Sequence, residues 1–221
     1  VGDVTVGNGT ISNFAAVDAK VYTFTITPTN QGNVTVDIAA GVAQDADSNP
    51  NLAAPRLTTV FDTVAPTAAA TAKTTNDTTP EITGTTEAGS TVAVTVNGQT
   101  VNATVTGTTW TATLTTPLAE GTYDIEVAAT DAAGNVGTAT LTAGLVVDTT
   151  APTPVISSTA PDPTAASPIP ITVTFNEAVA NFVAGDITVE NGIVGNFVAS
   201  DDSKTFTVSV TPLTSGIVSV N

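Results

Sequence analysis

The chain duplicates itself twice over, and this constrains its fold more than any other feature. The segment Phe61-Asp-Thr-Val-Ala-Pro-Thr67 returns as Val147-Asp-Thr-Thr-Ala-Pro-Thr153, an offset of 86 residues. A second similarity joins the two ends. Asp3-Val-Thr-Val-Gly-Asn-Gly9, with Asn13-Phe14, returns as Asp186-Ile-Thr-Val-Glu-Asn-Gly192, with Asn196-Phe197, an offset of 183. Tyr22-Thr-Phe-Thr-Ile-Thr-Pro28 matches Phe206-Thr-Val-Ser-Val-Thr-Pro212 at 184, so one residue is inserted between them. Self-similarity at a fixed period is the signature of tandem modules. Two module types alternate. Residues 63–148 make one complete module, with the repeat proper running from about 66 to 148. Residues 1–62 read as the C-terminal part of a second type, and residues 149–221 as the N-terminal part of that same type. The chain is expected to be a window of roughly one period, plus overlap, from a longer array. It has neither an initiator Met nor a signal peptide, which fits an interior or processed piece.

Composition says what the modules are made of. About one residue in five is Thr, and the apolar residues are mainly Ala, Val and Ile. Val, Ile and Thr are β-branched and suit a pleated surface. With 17 Gly and 13 Pro as punctuation, this is the composition of an all-β chain of short strands. In the middle module, strands are expected at residues 81–85, 91–96, 99–105, 110–114, 122–129 and 136–147. Asn97-Gly98 stands between two alternating runs, the strongest short hairpin signal, because both turn residues need positive φ. About seven strands in one module of this length fit an immunoglobulin-like sandwich. The fold class is therefore all-β: tandem immunoglobulin-like β-sandwich modules, with truncated modules at both ends. Trp110, the single Trp, reads as a core or sheet-face residue rather than a ligand platform.

Several chemistries are excluded. Without Cys or His there is no disulfide framework, no zinc or iron–sulfur site and no Ser-His or Cys-His nucleophile. The formal charge of −16 repels phosphate backbones and anionic membranes, so no nucleic-acid partner is expected. No apolar run approaches the ~18 residues of a membrane span. Asn-x-Thr triplets at Asn8, Asn33, Asn76 and Asn102 are matches expected by chance in so Thr-rich a chain. Nothing places a carboxylate beside Lys20, Lys73 or Lys204 for a Lys–Asn crosslink.

The acids carry the sharpest signal. Asp131-Ala-Ala-Gly-Asn135 joins the last two strands of the middle module, and Asp45-Ala-Asp-Ser-Asn49 holds the same place in the N-terminal piece. In both, 12 residues separate the Asn from a linker acid, Asp148 or Asp62. In a sandwich, the last interstrand loop and the second-to-third loop lie at the end where the chain arrives. Asp62, Glu87 and Asp131, with Asn135, are thus expected to converge at one junction. Three carboxylates without a Lys or Arg repel one another. A hard cation relieves this, and Ca2+, with its 6–8 oxygen ligands, suits such a site better than Mg2+. Asp148 and Glu177 are candidates for the next junction. Asp45, Asp47 and Asn49 would serve one upstream of residue 1. The alternative is that Asp, Asn and Gly sit in these loops because they make turns.

The Asp-Thr-x-Ala-Pro-Thr linkers, Glu87-Ala-Gly-Ser-Thr91, Asn97-Gly98 and Thr130-Asp-Ala-Ala-Gly-Asn135 resemble the bacterial Ig-like repeats of very large surface adhesins. Phe175-Asn-Glu-Ala-Val179, Gly185-Asp-Ile-Thr-Val-Glu-Asn-Gly192 and Val210-Thr-Pro212 resemble a companion type of the same repeats. The resemblance implies an extracellular stalk at the bacterial cell surface, stiffened by Ca2+ at module junctions, with neighbouring Ig-like modules of the same chain as its partners. The expected role is a structural extender and not an enzyme. Two other readings stand beside it. One is a segment of a self-assembling filament in which other copies join the fibre. The other is a module binding a sugar or similar ligand on Thr-rich strands such as Thr111-Ala-Thr-Leu-Thr115.

Overall fold

The computed structural model describes residues 2–221 and divides into two compact units, Val1–Thr149 and Thr150–Asn221. Among the described residues there are strands, one short 3-10 turn at Ala184–Asp186, and no α-helix. The strands of the first unit's opening part are β1 (Val4–Gly7), β2 (Gly9–Ala16), β3 (Tyr22–Pro28), β4 (Gly32–Ile38) and β5 (Leu57–Phe61). They form a three-stranded sheet, β1-β4-β5, and a two-stranded hairpin, β2-β3.

The remainder of that unit is a closed sandwich. Its strands are β6 (Ala68–Ala70), β7 (Lys73–Thr75), β8 (Glu81–Thr86), β9 (Thr91–Val96), β10 (Gln99–Asn102), β11 (Thr104–Thr106), β12 (Thr109–Thr113), β13 (Gly121–Thr130) and β14 (Val136–Val147). One sheet runs β10-β9-β13-β14-β7 and the other β11-β12-β8-β6. Pairing is antiparallel except where β7 lies parallel to β14. The opening stretch serves both sheets, β6 on β8 and β7 on β14. This is the two-sheet arrangement of an immunoglobulin-like fold. Inward positions alternate along each strand, as the pleat requires. Val92, Val94 and Val96 come from β9; Ile125, Val127 and Ala129 from β13; Trp110 and Ala112 from β12; Ile82 from β8; and all are buried in one cluster. Trp110 is 1% exposed, and its indole N–H donates to the Thr85 carbonyl at 3.1 Å. The Tyr123 hydroxyl donates to the Ala119 carbonyl at 2.9 Å. This is the tyrosine corner that fixes the start of the penultimate strand in such sandwiches.

Asn97 (φ 50) and Gly98 (φ 75) form the expected hairpin turn, pairing Gln99 with Val96. The expected strand over residues 99–105 is divided. Gln99–Asn102 pairs with β9 in one sheet, and Thr104–Thr106 pairs with β12 in the other. Alternation is unbroken across the switch at Ala103, so hydrophobic pattern alone cannot reveal that the strand changes sheets.

The second unit has β15 (Pro154–Ser158), β16 (Ile169–Phe175), β17 (Val189–Glu190), β18 (Gly192–Ala199), β19 (Thr205–Pro212) and β20 (Ser219–Val220). They form sheets β15-β16-β19-β18 and β17-β20. Its core holds Ile171, Ile187, Val208 and Val210. The end-to-end duplication is kept in register. Val6 pairs with Val36 and Gly7 with Thr35, as Val189 pairs with Val220 and Glu190 with Ser219. Even the hairpin irregularity recurs, between Ser12 and Ala15 and between Gly195 and Val198.

The packing predicts that Trp110→Ala costs the middle module about 3–5 kcal/mol, the usual range for emptying a large aromatic site. Denaturant unfolding followed by circular dichroism measures it. Trp110→Phe should lose less, the remaining cost reflecting the Thr85 carbonyl left without its donor.

Candidate metal centre and linker lock

The Asp-x-x-x-Asn loops bond to themselves. Asp131 Oδ1 accepts the backbone N–H groups of Ala133 (2.9 Å) and Asn135 (2.8 Å), and Asp131 Oδ2 accepts the Asn135 side-chain amide (2.9 Å). The backbone closes the loop, Asp131 N–H donating to the Asn135 carbonyl at 3.1 Å. The Asp45 loop repeats this wiring: Asp45 Oδ1 accepts Asp47 and Asn49 N–H, and Oδ2 the Asn49 amide, all at 2.9 Å. The Asn amide is the first cause holding both Asp131 and Asp45 below the ordinary value of 3.8, with backbone N–H donors adding to it. Hydrogen bonds to the ionised form stabilise it.

One amide carries the loop's order to the linker. Asn135 Nδ2 also donates to the Asp62 carbonyl at 3.2 Å. Asp62 Oδ1 in turn accepts Val64 N–H at 2.9 Å, which turns the linker chain. Further on, the Pro66 carbonyl lies directly over Gly137, where any side chain would overlap it. Thr86 Oγ1 donates to the Thr67 carbonyl at 3.0 Å. From the other side, Gln31 Oε1 accepts Thr63 N–H at 3.0 Å, and the Gln31 amide donates to the Thr63 hydroxyl. The linker is thus held by side chains of both parts that it joins. Gln31 and Gly137 were not singled out from sequence. The position duplicating Gln31 is Ser215, so the repeat offers no signal there.

The structure brings Asp62, Asp131 and Asn135 together through that shared amide. Glu87 stays exposed in the turn closed by Ser90 N–H on the Glu87 carbonyl (3.3 Å), and no described residue donates to its carboxylate. Asp148 is exposed, its N–H donating to the Thr75 carbonyl at 2.9 Å. Asp45, Asp47 and Asn49 lie exposed in the β4–β5 connection. In the second unit, Glu177 is half-buried, and its Oε1 is enclosed without a hydrogen-bond partner among the described residues. Its neighbour Asn176 is committed, its Oδ1 accepting Thr153 N–H at 2.7 Å. Among the described residues, no three carboxylates are gathered as a metal ion requires. As arranged, the donors do not form a cage: Asp131 spends its oxygens on loop N–H groups, and an amide nitrogen faces the Asp62 carbonyl.

Two linked sandwich types on one chain define a protein of tandem β modules. Two family models, each described as a bacterial Ig-like domain, match it: one over residues 54–149, the other over residues 1–61 and 148–221. The chain belongs to the bacterial Ig-like domains. No curated protein matches it. Among solved structures, the human desmocollin-1 ectodomain aligns over 99% of this chain and 50% of its own, at 15% identity and a TM-score of 0.28. The chain thus spans about half the length of that ectodomain.

Two outcomes test the lock. Asn135→Ala should destabilise the middle module by about 1–3 kcal/mol, through the donor lost to a carboxylate and to the Asp62 carbonyl; thermal unfolding of the full chain reads this. Asp131 has a lowered pKa in the folded protein, so its stabilisation is complete above the unfolded value near 3.8 and lost as pH falls through the lower folded value. Asp131→Asn should therefore lower the melting temperature at neutral pH, and the gap to wild type should close below about pH 4.

Proposed function

We propose that this chain is an extender segment of a large bacterial cell-surface or secreted adhesin, a mechanical rather than a catalytic element. Ig-like domains are typically non-catalytic structural modules, and the bacterial ones commonly occur in extracellular or surface proteins. Among the described residues no helix is long and apolar enough to cross a membrane. The observation that carries the reading is the fastening of the linker over residues 62–67. Its carbonyls and N–H groups are taken by Gln31 on one side, and by Asn135 and Thr86 on the other. Ala65 and Ala151 precede prolines, which drives them to extended backbone. A stalk needs connections of this kind, because a free linker lets successive modules fold back on one another.

Ca2+ is the finer part of this proposal. It is supported by the acid surplus, 20 acidic against 4 basic residues, with Arg56–Asp37 the one ion pair among the described residues. The uncommitted Glu87 carboxylate and the enclosed, unpartnered Glu177 Oε1 support it too, since buried carboxylate oxygens are ordinarily satisfied. Asp62, Glu87 and Asp131, with the Asn135 side-chain oxygen, would hold the ion at the lock after Glu87 turns inward. Asp148, Asp45, Asp47 and Asn49 belong to the same proposal at neighbouring junctions.

Thermal melts of the full chain in Ca2+, Mg2+ and chelator separate the two parts. A Ca2+-specific rise in melting temperature, lost in Asp131→Ala, is the expected result. Equal melts in all three would leave hydrogen bonds as the only fastening. Small-angle scattering tests the extender itself: Asn135→Ala with Gln31→Ala should broaden the distribution of chain dimensions, and an unchanged profile would sink the proposal.

A further inference from the structure

Three Asn-Gly pairs occur in the chain, at Asn8-Gly9, Asn97-Gly98 and Asn191-Gly192. In such a pair the glycine nitrogen is open to attack the asparagine side chain, because glycine has no Cβ to shield it. The asparagine backbone does not separate the three: φ is 58°, 50° and 56°. Their surroundings do. Asn8 Nδ2 donates to the Asn30 carbonyl at 2.8 Å, and Asn8 Oδ1 accepts Asn30 N–H at 2.9 Å. Asn191 Nδ2 donates to the Thr214 and Ile217 carbonyls, both at 3.1 Å. Its Oδ1 accepts the Thr214 N–H at 3.1 Å and the Thr214 hydroxyl at 2.8 Å. The main-chain carbonyls of these two are held as well, by Thr29 N–H at 3.3 Å and by Leu213 N–H at 3.2 Å. Gly9 and Gly192 are also enclosed: a Cβ there would lie 2.8 Å from an Ile26 methyl and 2.6 Å from a Val210 methyl. Asn97 and Gly98 differ on every count. Both are exposed at the tip of the β9–β10 hairpin, and the space around Gly98 is open. No described residue bonds the Asn97 amide or its main-chain carbonyl.

We propose that Asn97 is a site of spontaneous covalent modification, converting to aspartate and isoaspartate while Asn8 and Asn191 stay intact in the folded chain. The step needs only water. Hydroxide takes the Gly98 amide proton, the nitrogen attacks Asn97 Cγ, and Nδ2 leaves as ammonia, closing a cyclic imide. Water then opens the imide at either carbonyl. One opening leaves an aspartate side chain; the other routes the main chain through Cβ. Ring closure must turn the asparagine carbonyl and carboxamide together. At Asn8 and Asn191 that movement breaks side-chain and main-chain hydrogen bonds, whereas at Asn97 it meets none. Just past the tip the hairpin is fastened, Gln99 Oε1 accepting Thr115 N–H at 2.7 Å and Thr116 N–H at 2.8 Å. The change therefore stays within the turn. Either product sets a new carboxylate beside Asp124 and Glu126, which line the same shallow depression as Asn97. The inference is independent of calcium and of the extender reading, since it rests on the contacts of three like dipeptides.

The test incubates the full chain in warm, mildly alkaline buffer, once folded and once in guanidinium chloride. Peptide mapping by mass spectrometry follows each Asn-Gly pair, and selective enzymatic methylation reads isoaspartate. In the folded chain Asn97 should convert about tenfold to a hundredfold faster than Asn8 or Asn191, since those two must first break several hydrogen bonds. In denaturant the three rates should converge, because the contacts that separate the pairs are gone. Asn97→Gln should remove the early isoaspartate signal of the folded chain. Survival of Asn97 in the folded chain for as long as the denatured chain takes to convert would overturn the proposal, the turn itself then blocking ring closure. So would equal rates at the three sites in the folded chain. The same order of rates in denaturant would overturn it too, by assigning the difference to adjacent residues rather than to the fold.

Discussion

Closure of two sheets over one layer of small side chains is the constraint on which the structure depends. Val, Ala and Thr bury little area each, so a module of this composition is stable only when both inward faces are covered along their length. The middle sandwich achieves this: Ile82, Val94, Val96, Ile125 and Leu145 are wholly buried, and Trp110 fills the space that small residues leave. The N-terminal part shows the converse. Val34 is its one buried apolar residue among those described, and Tyr22 lies 54% exposed where its counterpart Phe206 lies at 4%. The sequences of the two hairpins are close and their registers alike. Beside Phe206 lies β16, with Phe175 and Phe182 edge-on to its ring.

Closure also positions the linker contacts. β13 and β14 are paired over almost their whole length, so their connecting loop is delivered to one end of the sandwich. The Asp131 carboxylate shapes that loop, and Asn135 extends it by one amide to the Asp62 carbonyl. A single Asn thus couples the order of a turn to the direction of the chain that arrives. The Asp45 loop has identical internal wiring. The spacing that suggested a cation site is therefore also the spacing a self-bonded turn requires. The acids that remain uncommitted, Glu87 above all, distinguish the two roles.

Much of this was legible in the residues. The duplication marked the module types, β-branched alternation marked most strands, and Asn97-Gly98 marked its hairpin, because each is a local consequence of backbone sterics or pleat. Asp131 and Asn135, which the structure joins by hydrogen bonds, were legible as a pair because their spacing recurs at Asp45 and Asn49. Three features were not. The strand over residues 99–105 divides between sheets at Ala103, since both halves alternate alike and only the opposing layer decides which sheet each joins. The tyrosine corner at Tyr123 depends on a backbone carbonyl four residues away becoming available. Gln31 and Gly137 act on the linker from distant parts of the chain, and neither has a telling neighbour in sequence.

By itself, then, the sequence determined the all-β modules, their two types, their turns and the loops where acids gather. Those depend on short-range preferences and on periodicity, which any stretch of chain carries with it. Only the tertiary structure decided which oxygens meet. It gave the Asp131 carboxylate to its own loop, brought the Asp62 carbonyl to Asn135, and left Glu87 outside. Those outcomes turn on distances of a few ångströms between segments tens of residues apart, set by how two sheets close over their core.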